Sequence, residues 1–359
     1  MTKYHINNEG AVKQCMAKTP DSCKFSSQEH FDNISEAQLY ADQKLKMERQ
    51  KELASMNIME IFGGEDLSNK DLRNKVYKDI DMTYYDFDNS DLSNATFENV
   101  TIENTDFKGT NLKNVKFINC FIADCDFKGA NIENCSFEGT DFVAPDFNNT
   151  TIKDTIFEEN TLLTRANFRN AKVDNTDLTN TRLEGTSFDS TTISNTKLNN
   201  ATLDFSSFNN THLSKVYANI TNFRFSQFDN VSISESNLEK SDFTSSNIKQ
   251  LSVDNSNISN VDFMGSNLEN CLIINNNMQE THINSAIIKN TQFSNNSSNY
   301  ATFEGSYMED NVFTNNDYEK CNFNQIKANK IMFSNNNFLG TNFNHSNIIN
   351  SEFESNNLK

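Results

Sequence analysis

The 359-residue chain is short of apolar side chains: they make up 36% of it, tryptophan is absent, and the mean hydropathy is −0.67. Globular chains carry about 45–50%. Joined to a net charge of −18, so low a fraction ordinarily goes with disorder. No run of about 18 apolar residues occurs, so no segment reads as a membrane span. The opening MTKYHINNEG has no apolar core and does not read as a secretory signal. Seven cysteines, an odd number with no such signal, fit a reduced, cytoplasmic setting. Basic charge is scarce as well. A pI near 4.7 argues against direct binding to a nucleic-acid backbone, but not against binding to proteins that themselves hold nucleic acid. Phosphate-loop, GxSxG and HExxH patterns are also missing, and no enzyme is expected.

What is abundant is phenylalanine, and its placement answers the question of disorder. From Leu67 a large apolar residue returns every five positions, through Leu72, Tyr77, Met82, Phe87, Leu92, Phe97 and onward to Phe157 and Leu162. The phase slips by one residue within 159–165, and the beat resumes at Phe168 and holds to Ile348, Phe353 and Leu358. Of the 30 Phe, 24 sit on it, and only Ala218, Ser298 and Ala328 lack a large side chain there. Two residues before each large one stands a small one, such as Ala95, Thr105, Thr110, Ala130 or Thr140. Residues two apart on extended backbone point to one side. A period of five fits neither a helix nor plain alternation. It fits a chain that turns at every unit, keeps one side inward and pairs its backbone with the next coil. Pro145 takes a small-residue position, where an irregular coil is expected.

Units such as Ser90-Asp91-Leu92, Thr105-Asp106-Phe107, Ala130-Asn131-Ile132 and Thr176-Asp177-Leu178 resemble the A(D/N)LXX motif of the pentapeptide-repeat family. The resemblance covers about residues 65–358. It implies an all-β, right-handed, four-sided β-helix of about 15 coils, a rod roughly 70 Å long at about 4.8 Å per coil. Three parts are expected: a head at 1–34, a capping helix at 35–64 that begins at Ser35, and the repeats at 65–359. The last coil has no comparable cover. Phe343, Ile348, Phe353 and Leu358 are therefore expected to pair end to end in a homodimer.

Three sets of side chains are candidates for function. Asp66, Asp86, Asp106, Asp126 and Asp146 each precede a large residue and lie 20 apart, so a four-sided coil stacks them on one face; Asp71 and Asp91 begin a second column. Residues 67–162 carry a net −9, against −6 for 163–359. Stacked carboxylates repel by about 0.8 kcal/mol per pair in water, unless Lys108, Lys128, a cation or a basic partner offsets them. The column reads either as local backbone bonding by the repeat motif or as a phosphate-like edge for a basic groove. Some members of the family are acidic DNA mimics that bind DNA gyrase, and the resemblance implies a protein-binding rod of that kind. The alternative is a stiff bacterial or phage scaffold whose head recruits a partner. In that head His5, Cys15, Cys23 and His30 could supply tetrahedral zinc, or the head is loosely packed with free thiols. Cys120, Cys125, Cys135, Cys271 and Cys321 fall on the small inward position and read as buried thiols, while His212, His282 and His345 read as solvated.

Overall fold

A five-residue unit can close on itself only if one residue in five turns the chain, and here that residue is left-handed. In a computed structural model, which describes Lys3–Ile6, Val12–Cys15 and residues 64–358 apart from 160, the second residue after each inward large one, the phase slip excepted, has φ near +55°. Asparagine fills this corner most often, as at Asn89, Asn94, Asn99 and Asn104. Among non-glycine residues it tolerates that region best. The asparagine-rich composition thus has a conformational cause.

Four such corners make one turn of 20 residues, and the chain from Gly64 onward makes about 14 turns with no helix among the described residues. Each side of the turn pairs in parallel with the same side of the next. One ladder runs from Asp66 through Asp86, Asp106, Asp126, Asp146, Asn167 and Ser187 to Asn347. A second runs from Asp71 to Glu352, a third from Val76 to Asn357, and a fourth from Asp81 to Asn342 with its break at the phase slip. The backbone amides and carbonyls that a coil presents are met by its neighbours, which is how a chain so poor in apolar residues can hold a fold.

The large residues fill the interior as ring stacks. Phe87, Phe107, Phe127, Phe147, Phe168, Phe188, Phe208 and Phe228 form one column with centroids 4.9–5.1 Å apart. The column crosses the phase slip without a gap: Phe147 and Phe168 are 4.9 Å apart. Ala218, Ser298 and Ala328 are buried although small.

The inward position two residues earlier is more than small. Thr110 Oγ1 donates to the Phe87 carbonyl at 2.7 Å, and Thr150 does the same to Phe127 at 2.9 Å. Cys135 substitutes a thiol in that bond to Leu112. Late in the rod the position becomes a buried asparagine spine. Asn276, Asn296, Asn316, Asn336 and Asn356 each donate to the carbonyl 23 residues back and accept the amide 20 residues back.

Two sequence expectations change. Leu163, not Leu162, is the fully buried residue at the slip; Leu162 is partly buried and pairs its backbone with Arg182, so the first phase ends at Phe157. Pro145 leaves the first ladder intact, since Asp126, Asp146 and Asn167 pair in succession. At Ser90 and Thr110 the amide of this position makes only a turn bond, to Phe87 and Phe107, so a residue without one is tolerated.

The chain divides into Met1–Gly63 and Gly64–Lys359. In the first unit Lys3–Ile6 and Val12–Cys15 form an antiparallel hairpin that places His5 opposite Lys13 and Cys15 opposite Lys3. The capping helix expected at 35–64 lies outside the described residues, Gly64 excepted.

Truncating Phe127 to Ala removes a ring from the middle of a stack and opens a cavity between two others. We expect a loss of about 3–5 kcal/mol in urea unfolding followed by circular dichroism.

Candidate functional site

A ladder that returns to the same side every turn converts any residue repeated at 20 into a column. Asp66, Asp86, Asp106, Asp126 and Asp146 are such a column, each paired with the next. The column turns neutral at Asn167, Ser187 and Ser207, and the second column turns neutral after Asp91, at Asn111 and Asn131. The acidic edge is therefore confined to the first turns.

All but Asp106 are tied locally first; the Lys108 amide turns to Asp88 instead. The amides two residues on donate to Asp86 at 2.8 Å, Asp126 at 2.9 Å and Asp146 at 3.0 Å, the backbone bond that favours Asp or Asn in this motif. Lys108 then bridges the column, 2.8 Å from Asp106 and 3.6 Å from Asp126. Arg73 does the same next door, 2.6 Å from Asp71 and 3.8 Å from Asp91. The Arg73 hydrogen bond holds the Asp71 carboxyl down at about 2, and bonds from Ser68 lower Asp66. Asp88 goes the other way: burial pushes its carboxyl up, with Asp86 and Asp106 adding to the rise and a bond from the Lys108 amide opposing it. The column thus has cations set into it, yet its side chains stay open to solvent along one face.

The other predicted groups are dispersed. His212, His282 and His345 are exposed and sit on separate faces or corners; His212 pairs with Ser232 on the next turn. Cys120, Cys125, Cys135, Cys271 and Cys321 are buried free thiols. Burial pushes Cys125, Cys135 and Cys321 up to about 12 and Cys271 to about 11, which makes them unreactive. Of the four head residues, His5 and Cys15 lie on the two hairpin strands, and Cys23 and His30 fall outside the described residues. At the last coil Phe343 and Ile348 are partly buried, whereas Phe353 is 44% and Leu358 62% exposed.

One feature escapes the sequence pattern because it lies off the beat. Phe205, Ile220 and Phe225 occupy corners with φ of 62°, 55° and 59°, and all three are about half exposed. Ile220 is the one β-branched residue at a positive-φ corner among the described residues. Left-handed backbone costs a residue of this kind roughly 1–2 kcal/mol. Asparagine or glycine fills over half of the corners, while Tyr84, Arg165, Lys215, Glu235 and Tyr300 are among the others that hold the same left-handed backbone. The two rings stack on each other at 5.1 Å.

Models of this architecture match the sequence directly: "pentapeptide repeat region" at 110–188 and 130–208, and "pentapeptide repeats" at 81–118 and 221–260. The chain is a pentapeptide-repeat protein. Among solved structures it is similar to HetL, a pentapeptide-repeat protein involved in heterocyst differentiation regulation from the cyanobacterium Nostoc sp. strain PCC 7120. That match has 13% identity, covers 71% of this chain and 92% of that one, and has a TM-score of 0.21. It is also similar to full-length QnrB1, a plasmid-mediated fluoroquinolone resistance protein, at 19% identity over 53% of this chain and 94% of that one, with a TM-score of 0.27. Comparison with curated proteins finds no match.

In this pentapeptide-repeat protein two carboxyls less than one turn apart along the chain titrate in opposite senses. Asp71 has a folded pKa below its unfolded value, so its contribution to stability is present above about pH 4 and is lost as pH falls toward 2. Asp88, raised by burial, takes up its proton first. Carboxyl NMR titration is expected to show Asp88 above and Asp71 below the ordinary aspartate range, and Arg73→Ala to return Asp71 toward it. A thiol-reagent assay at pH 8 is expected to leave all five repeat cysteines unmodified until the protein is unfolded.

Proposed function

We propose that this pentapeptide-repeat protein is a non-enzymatic rod that binds a protein partner, and that the column Asp66, Asp86, Asp106, Asp126 and Asp146, flanked by Asp71 and Asp91, meets a basic groove in that partner. The observation that carries the reading is the register: these carboxylates follow one another on one side of the rod, where the next turns place Asn167, Ser187 and Ser207. A groove built for the phosphates of a duplex, which carries one charge per about 1.7 Å, would find a sparser but ordered line of charge. Enzymes that act on DNA, gyrase among them, are the partners of matching chemistry. The interior is filled by side chains, so the surface is what the rod offers to a partner.

Two further elements belong to the same proposal. The apolar last coil, with Phe343, Ile348, Phe353 and Leu358, pairs end to end with a second copy. The head holds zinc through His5, Cys15, Cys23 and His30. Metal analysis is expected to find about one zinc per chain, lost when Cys15 and Cys23 are replaced by Ser.

A second reading, a rigid spacer whose head recruits the partner, draws on the ring column that runs through the slip without interruption. Binding of purified gyrase to the immobilised full-length protein separates the two. Changing the five ladder aspartates to Asn preserves the fold, because Asn167, Asn247 and Asn267 occupy the same ladder further along. Charge mimicry predicts that this variant, or high salt, reduces binding about tenfold or more. Binding that survives both, but fails when the four head residues are replaced, favours the spacer and rules out the mimic.

A further inference from the structure

We propose that the core of the rod holds ordered water in the space bordered by Ser298, Tyr318 and Ala328, bound by the Tyr318 and Ser298 hydroxyls. Six buried side-chain polar atoms lack a hydrogen-bond partner among the described residues, and only two of them, Ser298 Oγ and Tyr318 Oη, belong to residues wholly enclosed by the core. The other four, on Ser187, Asn219, Thr302 and Asn324, belong to residues that border solvent. Tyr318 is also the only fully buried tyrosine among the described residues.

The two orphan hydroxyls fall where the interior is short of side chain. Of the three beat positions without a large residue, Ala218, Ser298 and Ala328, two adjoin Tyr318. Ser298 lies directly beneath it in the same column, where the Ser298 amide donates to the Asp317 carbonyl at 2.8 Å. Ala328 stands on the opposite side of the four-sided coil, paired between Met308 and Ile348. Above, the tyrosine ring stacks on Phe338 at 5.5 Å, wider than the 4.5 Å of Phe303–Phe323 and the 4.9 Å of Phe313–Phe333. Below, the column gives it a serine too short to cover the ring. Close packing would ask for a large residue at 298, and Tyr318 could then be one more phenylalanine.

The occupant follows from the groups that face the space. A buried hydroxyl left unpaired is costly, and the polar lining calls for a guest that both donates and accepts. An apolar guest would leave both hydroxyls unpaired. An ion would find no countercharge. The Cys321 thiol donates to the Ser298 carbonyl at 2.8 Å, and burial pushes it up to about 12, so it stays neutral. Burial likewise pushes the Tyr318 hydroxyl well up, so it keeps its proton. Water meets both demands.

The test compares diffraction from crystals of the full-length protein and of its Y318F variant, which is expected to fold because phenylalanine is the commonest aromatic on the beat. The parent should show a density peak about 2.5–3.0 Å from Tyr318 Oη, and Y318F should lose it. Melting temperature separates a wet site from a dry one by sign. With water bound, Y318F deprives that water of a partner and should melt about 1–3 °C below the parent. With the hydroxyl unpaired, the same change removes a cost, and the variant melts at or above the parent. Crystals of the parent under xenon pressure should take up no xenon in this space. No peak in the parent, a Y318F melting temperature at or above the parent's, or xenon beside Tyr318 would each overturn the proposal.

Discussion

The backbone ladder from each coil to the next is the constraint on which the rest depends. A parallel rung every 20 residues gives the backbone of an inner coil partners in the coils above and below, so stability does not require a large apolar fraction. It requires only that every fifth side chain fill the interior and that every unit end in a left-handed turn. Those two demands account for the phenylalanine and the asparagine that dominate the composition. They also account for the hydroxyls. A carbonyl next to a packed ring would otherwise be buried without a second partner, and the Thr, Ser, Cys or Asn 23 residues on supplies one.

Most of this was legible in the sequence because a strict period overrides local propensity. The beat of large residues is a packing requirement, and packing reads directly as residue size. The one-residue slip was legible too, but its phase was not: Leu162 and Leu163 are adjacent and equally apolar, and only the rung to Arg182 decides which faces inward. The corner asparagines were visible as a composition without a cause, since a sequence does not display φ. The hydrogen-bonding role of the small position was hidden for a similar reason. Its residues are alike in volume, and the carbonyl they serve lies 23 residues away. For the acidic column, the spacing of 20 was enough to put the aspartates on one face, but not to show that Lys108 and Arg73 each sit between two of them.

A ladder that amplifies repeats has an electrical consequence. Every side chain that recurs at 20 stands within about 5 Å of its copy, so a column of like charge repels itself along its whole length. The protein meets this in two ways. In the first turns it inserts cations and backbone amides; in later turns it replaces the charge, with Asn and Ser in the same ladder. The first solution keeps a line of carboxylates exposed at a cost in stability, and the second removes both. That both occur on one face makes the acidic stretch a local choice and not a demand of the repeat.

The same logic separates fold from function more generally in such a rod. Where a position obeys the repeat, its residue is explained by the coil beneath it and says nothing about a partner. Information about partners resides in departures from the repeat. Left-handed φ favours Asn or Gly at a corner, yet Tyr84, Arg165, Lys215, Glu235, Gln250 and Tyr300 stand at corners too, so the repeat tolerates most side chains there. Charge at an outward rung is tolerated in the same way. What the repeat does not ask for is five carboxylates in succession on one ladder, where the next turns carry Asn167, Ser187 and Ser207.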